Sequence, residues 1–140
     1  MSSRSEIVSD LARFALFADL TEAQREGVVD QLAVAVFAAD DKILRQGFRG
    51  AGFYFVLEGE CTVHVDGAER ARLGRGDFFG EVSVLIGDPP TADVIALTDV
   101  RCLVLDPADA EPFLLAHPQV MFRMLQAQAR RLRDSNRRRA

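Results

Sequence analysis

The stretch FFGEVSVLIGDPPTADV, residues 78–94, holds the side chains with the most specific chemistry in this chain. Gly80 permits backbone conformations that other residues resist, and the residues after it predict one short helix. The backbone amides of Gly80, Glu81 and Val82 at its start can meet an anion, and Glu81 is an acceptor suited to sugar hydroxyls. Thr91 adds a hydroxyl after the turn. These residue types fit a phosphorylated sugar, and they equally fit a purely structural connection between two strands.

The other reactive side chains do not form a recognisable reaction centre. His64 and His117 lie far from any zinc-type cysteine spacing, so no metal site is expected. Cys61 and Cys102 each alternate with apolar neighbours, which predicts buried, reduced thiols. The sequence contains no G-x-S-x-G, H-E-x-x-H or P-loop pattern and no pairing of a nucleophile with a base. We therefore predict that the protein is not an enzyme.

The chain contains three consecutive segments that differ in their pattern of apolar residues, and these segments must position the residues named above. Apolar residues at helical spacing predict helices over 5–32, with a capping box in TEAQ at 21–24. Short segments rich in Val, Phe and Leu, separated by Gly or Asp, predict antiparallel strands over 33–105, with a type I′ hairpin at Asp66–Gly67. Helices return over 107–136. The fold class is mainly β with flanking helices, as a sandwich or barrel.

Length and composition predict one soluble domain over 1–140. The 140 residues carry 49% hydrophobic and 27% charged side chains, and no linker divides them. A net charge of −4 argues against a general nucleic-acid binder. No signal peptide or membrane span is visible, so we expect a cytoplasmic protein without a membrane partner. The arginine-rich end RRLRDSNRRRA fits a solvated helix end, a contact with an acidic partner, or continuation into a second domain.

Several motifs together resemble the cyclic nucleotide-binding domain family, in particular the sensor half of the Crp/Fnr bacterial regulators. The similarity runs from about Phe14 to Asn136. It rests on ALFADLTEAQREGVVDQL, FYFVLEGECTVHVDG, GRGDFFGEVSVL and HPQVMFRMLQAQARRL. The resemblance implies an eight-stranded antiparallel jelly roll, a double-stranded β-helix, with helices before it and a long helix after it. It also implies a cyclic nucleotide as ligand, with cAMP as the first choice.

Family roles transfer to the matching positions only. By resemblance, Gly80 and Glu81 match the residues that meet the cyclic phosphate and the ribose 2′-hydroxyl. Thr91 and Ala92 match the small residues that close over the phosphate. The pair at 135–136, Ser135 and Asn136, falls where the long helix meets the base, provided that the chain is still helical there.

One match fails, because the position of the phosphate-pairing arginine is occupied by Pro90. A lost charge-assisted contact of this kind costs about 2–3 kcal/mol, or roughly a hundredfold in affinity. The candidates to replace the cation are Arg70, Arg72, Arg75 and Arg131.

These observations leave three interpretations open. In the first, the domain binds a cyclic nucleotide and signals through the helix that begins at Pro118. In the second, the fold is degenerate, binds no nucleotide, and serves in protein interaction or in a homodimer through the face Phe122, Leu125, Ala129 and Leu132. In the third, the chain is a fragment of a larger regulator or enzyme. The Crp-like regulators continue into a helix-turn-helix domain, whereas this chain stops at Ala140, so no specific DNA binding by this chain alone is expected.

Overall fold

The computed structural model describes residues 3–48 and 52–139. The two ends of the predicted 1–140 domain, including Ala140, lie outside the described residues. The chain begins with helix α1 (Arg4–Leu11), a 3-10 turn (Ala15–Phe17) and helix α2 (Glu22–Gln31). The predicted capping box is confirmed at the start of α2. The backbone amide of Gln24 donates to Thr21 Oγ1 at 3.2 Å, and the backbone amide of Thr21 donates to Gln24 Oε1 at 2.8 Å.

In the described residues, eight strands then form two four-stranded antiparallel sheets. The strands are β1 (Ala33–Phe37), β2 (Lys42–Leu44), β3 (Phe53–Glu58), β4 (Cys61–Val65), β5 (Ala68–Leu73), β6 (Phe78–Phe79), β7 (Asp93–Ala96) and β8 (Val100–Leu105). One sheet has the order β1-β8-β3-β6 and the other β2-β7-β4-β5. The predicted eight-stranded antiparallel roll with flanking helices is therefore confirmed. The β4–β5 turn is the predicted type I′ hairpin, since Asp66 and Gly67 have φ angles of 52° and 80°.

Two apolar cores hold the roll together. The first lies between the two sheets and includes Val56, Phe79 and the free, buried thiols of Cys61 and Cys102. The second lies between the helices and the sheet β1-β8-β3-β6, where Phe17 meets Phe55 edge to face. Fully burying each of these larger side chains contributes about 1.5–3 kcal/mol. Strand β6 is therefore packed on both faces, with Phe79 in the first core and Phe78 in the second, helix-side core.

The short helix α3 (Glu81–Ile86) lies between β6 and β7. The C-terminal part begins with a 3-10 turn (Pro107–Asp109), followed by α4 (Ala110–Ala116) and α5 (Pro118–Arg139). Val120 and Met124 on the inner face of α5 are buried in the helix-side core. Arg123 ties the same part of α5 to the N-terminal helices, because its Nε and Nη2 donate to Asp19 at 2.8 and 3.0 Å. Within the described ranges, no helix has both the length and the apolarity needed to cross a bilayer. The first half of α5 is thus anchored on the roll.

Candidate functional site

A cavity of about 200 Å³ opens between α3 (Glu81–Ile86), the sheet β2-β7-β4-β5 and helix α5. Its apolar wall is formed by Leu44, Val63, Ala71, Leu73, Phe79 and Val94. Its remaining lining includes six of the sequence-predicted residues, namely Gly80, Glu81, Val82, Thr91, Ala92 and Arg131, and also Ser83 and Pro90. The fold therefore brings the two ends of the 78–94 stretch and one arginine of α5 to the same space.

The start of α3 depends on a glycine. Gly80 has a φ of 86°, in the left-handed region that residues with a Cβ rarely adopt. A Cβ at this position would also collide with the carbonyl oxygen of Gly52. The helix ends as predicted at Gly87, whose φ is 87°. These two glycines set the short helix that carries Glu81 to the cavity wall.

The segment after α3 is held by two hydrogen bonds from backbone amides of the turn that follows β2. The backbone amide of Gly47 donates to the Pro90 carbonyl at 2.9 Å, and the backbone amide of Gln46 donates to Asp93 Oδ1 at 2.7 Å. The Gln46 amide, and secondarily Lys42, hold the pKa of the Asp93 carboxyl below its usual value. Thr91 and Ala92 are therefore fixed at the cavity between two anchored neighbours.

Glu81 is the most unusual side chain of the site, because glutamate is rarely buried and this one is only 5% exposed. Its Oε1 accepts a hydrogen bond from Gln128 Nε2 at 2.8 Å and lies 3.4 Å from Arg131 Nη1. Its Oε2 is buried and has no hydrogen-bond partner among the residues that the structure describes. A buried carboxylate oxygen without a donor is costly, so Oε2 is an unused hydrogen-bond acceptor at this site.

Arg131 is the cation of this cavity. Its Nη2 donates to the Phe78 carbonyl at 2.9 Å, and its guanidinium lies 4.4 Å from the centre of the Phe78 ring. Its Nη1 forms the ion pair with Glu81, and the side chain remains 36% exposed. Of the four candidate cations, Arg131 is the one that lines the cavity. It is already engaged there by a carboxylate, a carbonyl and an aromatic ring.

The other three candidate arginines lie elsewhere. Arg75 pairs with Asp10 at 3.1 Å, and Arg72 lies 3.6 Å from Glu69. Arg70 lines a separate cavity of about 730 Å³ beside the β4–β5 hairpin. None of the three is part of the lining of the cavity at Glu81.

Ser135 and Asn136 are helical, which was the condition for their predicted role. Ser135 lines the cavity that also contains Arg70, and Asn136 is exposed. The structure does not bring either residue to the wall of the cavity at Glu81. The described conformation therefore separates the base-contact candidates from the phosphate and ribose candidates.

The two histidines have structural contacts. His64 Nε2 lies 2.9 Å from Thr62 Oγ1, and His117 Nε2 lies 3.2 Å from Gln31 Oε1. Burial lowers the pKa of His117, because desolvation disfavours its charged form. In the described part of the chain, no three His, Cys, Asp or Glu side chains cluster in a way that could hold a metal ion.

Sequence reasoning missed Gln128. It lies one helical turn before Arg131, so both side chains point from the same face of α5 towards Glu81. Once Arg131 is a candidate, the residues three and four positions away on α5 are its natural neighbours. The spacing of three residues between Gln128 and Arg131 was the feature of the sequence that could have identified Gln128.

Comparisons with known proteins point to one family. The sequence profile described as "Cyclic nucleotide-binding domain" matches residues 34–117. The chain is 36% identical over 86 residues to the cAMP-dependent protein kinase regulatory subunit of Debaryomyces hansenii, covering 61% of this chain and 19% of that protein.

Two solved structures support the same relationship. The N-terminal domain of a transcriptional regulator from Streptomyces coelicolor A3(2) is 35% identical, with 91% of this chain and 92% of that chain covered and a TM-score of 0.67. The regulatory subunit of a cAMP-independent protein kinase A from Trypanosoma brucei is 29% identical, with 88% and 47% covered and a TM-score of 0.74. The chain spans 28%, 19% and 15% of the length of three curated relatives that it matches.

Proposed function

We propose that the cavity of this chain, which belongs to the cyclic nucleotide-binding domain family, binds a cyclic nucleotide. The first ligand to test is cAMP. The observation that carries this proposal is Glu81. Its buried Oε2 lacks a donor among the described residues, and a ribose 2′-hydroxyl is a neutral donor of the right kind. We also propose that the protein is not an enzyme and that it is located in the cytoplasm.

The phosphate end of the ligand meets a different part of the wall. We place it near Gly80 and Val82 on one side and Thr91 and Ala92 on the other, where the lining is small or offers a hydroxyl. Pro90 contributes neither a charge nor a backbone donor there. The phosphate therefore depends on Arg131, which must exchange part of its present contacts for it.

Signalling follows from that exchange. Glu81 is tied to α5 by Gln128 and Arg131, so a ligand that competes for Glu81 or Arg131 changes the free energy of the present α5 position. The first half of α5 is anchored by Val120 and Met124, so the change acts on the second half. In the ligand-bound state, Ser135 and Asn136 are proposed to reach the base.

Calorimetric titration with cAMP and cGMP tests the proposal. We expect saturable binding, a raised thermal melting temperature, and loss of both in Glu81→Gln, which keeps the size of the side chain but removes the carboxylate. Glu111→Gln, an exposed glutamate on α4, is the matched control and should bind like the unmodified protein. No heat and no melting shift at saturating nucleotide would rule the proposal out.

A second function is favoured by a different observation, the exposed outer face of α5. Phe122, Leu125 and Leu132 are 58%, 63% and 63% exposed and, with Ala129, repeat in steps of three and four like a two-helix seam. Pro90 and the engaged Arg131 fit a cavity that no longer takes nucleotide. One of the similar structures is the regulatory subunit of a protein kinase A from Trypanosoma brucei that is described as cAMP-independent.

In this second function the chain is an interaction module that forms a homodimer through α5, with no specific DNA or membrane partner. Sedimentation velocity should then show a concentration-dependent dimer that Leu125→Glu disrupts, whereas the exposed Leu97→Glu, outside α5, leaves it intact. A strict monomer at high protein concentration would count against it.

A further inference from the structure

We infer that Gln128 is a positioning residue that fixes which oxygen of Glu81 faces the ligand, and that it thereby sets the preference for a ribose over a 2′-deoxyribose. The inference rests on the proposed nucleotide function. It adds a residue of α5 that does not itself line the cavity. Gln128 therefore acts through Glu81.

The hydrogen-bond distances make Gln128 the main tie to Glu81. Gln128 Nε2 lies 2.8 Å from Oε1, whereas Arg131 Nη1 lies 3.4 Å from the same oxygen. The shorter polar contact of Arg131 is with the Phe78 carbonyl, at 2.9 Å. A contact near 2.8 Å is a full hydrogen bond, while one at 3.4 Å is at the limit.

Fixing one oxygen fixes the other. The terminal torsion of a glutamate is broad, so an unheld carboxylate presents either oxygen in many directions. With Oε1 held by Gln128, Oε2 of Glu81 keeps one orientation, and it is the oxygen without a donor among the described residues. Oε2 is buried in this conformation, so a ligand hydroxyl reaches it only after a neighbouring group shifts. The hydroxyl then meets an acceptor that is already oriented, so little ordering of Glu81 is needed when it binds.

The chemistry of an amide suits this task better than that of an arginine. Gln128 is a neutral donor, so a phosphate does not attract it as it attracts an arginine. The hydrogen bond from Gln128 to Glu81 is therefore expected to persist when a phosphate binds. Arg131 is attracted to any anion and is expected to shift towards it. In the bound state Gln128 therefore becomes the principal remaining tie of α5 to Glu81.

The chain offers a matched control on the same helix. Gln126 is partly buried like Gln128, but its Oε1 accepts from Arg123 Nη1 at 3.1 Å and it faces a different cavity. The same substitution at 126 and 128 therefore removes one amide from α5 in each case. Only the change at 128 removes the contact with Glu81.

Titration calorimetry with cAMP and 2′-deoxy-cAMP tests the inference on the full chain and its variants. The unmodified protein should prefer cAMP by about ten- to hundredfold, the range for a hydrogen bond to a charged group. Gln128→Met, which keeps the length but lacks a donor, should weaken cAMP binding by about tenfold and 2′-deoxy-cAMP binding little, so the preference contracts. Gln126→Met should keep the preference. Thermal melting verifies that each variant is folded, and Gln128→Asn replaces Gln128→Met if the latter is not.

The outcomes separate this inference from the function on which it rests. An unchanged preference in the Gln128 variant, or equal losses for both nucleotides, overturns the inference and leaves the proposed function standing. Failure of the unmodified protein to bind either nucleotide overturns the proposed function and the inference with it.

Discussion

Arg131 Nη1 lies 3.4 Å from Glu81 Oε1, so the cation and the carboxylate of the cavity are partners across α5 and α3. The two charges offset each other, and Pro90 at the cavity wall adds none. A phosphate brought to this cavity must therefore either draw Arg131 away from Glu81 or remain without a counter-charge. If the cavity binds a cyclic nucleotide as proposed, we therefore expect the cation, rather than the shape of the cavity, to limit the affinity.

Placing an arginine at the family position should strengthen nucleotide binding. We expect Pro90→Arg to raise affinity for cAMP by about ten- to hundredfold, because a guanidinium forms a charge-assisted contact with phosphate. The Gly47 amide donates to the carbonyl of Pro90, a contact that any residue at this position retains. Calorimetric titration measures the change. Pro89→Arg, one residue outside the lining, is the control, and equal affinity in the two variants would show that position 90 does not face the phosphate.

Removing Arg131 should have the opposite effect. Arg131→Gln is expected to weaken cAMP binding by about tenfold or more and to reduce its dependence on salt, because the counter-charge of the phosphate is lost. Binding of adenosine, which has no phosphate, should change much less. Arg130→Gln, the exposed neighbour on α5, serves as the control. If Arg131→Gln and Arg130→Gln behave alike, Arg131 is not the phosphate cation.

Local rules account for what the sequence predicts well. The capping box at Thr21, the hairpin at Asp66–Gly67 and the end of α3 at Gly87 are set by residues within a few positions of one another. The spacing of three residues to Arg131 identifies Gln128 as its neighbour on α5. The contact of Gln128 with Glu81, however, spans 47 residues and depends on how α5 lies relative to α3.

The same limit applies to the charged side chains. The sequence offers four arginines as the replacement cation, with Arg131 among the predicted site residues, and the position of α5 brings Arg131 to the cavity. The distance of Ser135 and Asn136 from the cavity at Glu81 is likewise a property of the direction of α5. Sequence identifies the types of residue at such a site, whereas packing decides which of them meet.

The two glycines that bound α3 should differ in their tolerance of a side chain. Both have φ angles in the left-handed region, so alanine at either costs about 1–2 kcal/mol of stability. Gly80→Ala should cost more than Gly87→Ala, since a Cβ at 80 collides with the Gly52 carbonyl and one at 87 meets open space. Chemical denaturation of both variants measures the difference. Equal losses would mean that the backbone at 80 relaxes without cost.

Both thiols should be unreactive while the protein is folded. Burial raises the pKa of Cys61 to about 11 and that of Cys102 to about 12, above the ordinary value of 9.0, and the neighbouring Cys61 adds to the shift at Cys102. Because the thiolate is the nucleophile, a disulfide reagent at pH 8 should label neither residue until denaturant is added, and should then label both.

The raised thiol pKa values also set the direction of the change in stability at high pH. The unfolded chain releases its thiol protons near pH 9 while the folded chain retains them, so this contribution is complete below pH 9 and is lost as pH rises towards 11 and 12. Denaturation midpoints measured between pH 8 and 11 should therefore fall less in a Cys61→Ala, Cys102→Ala double variant than in the unmodified protein. Rapid labelling of the folded protein at pH 8, or an identical pH dependence in the double variant, would contradict the burial of these thiols between the two sheets.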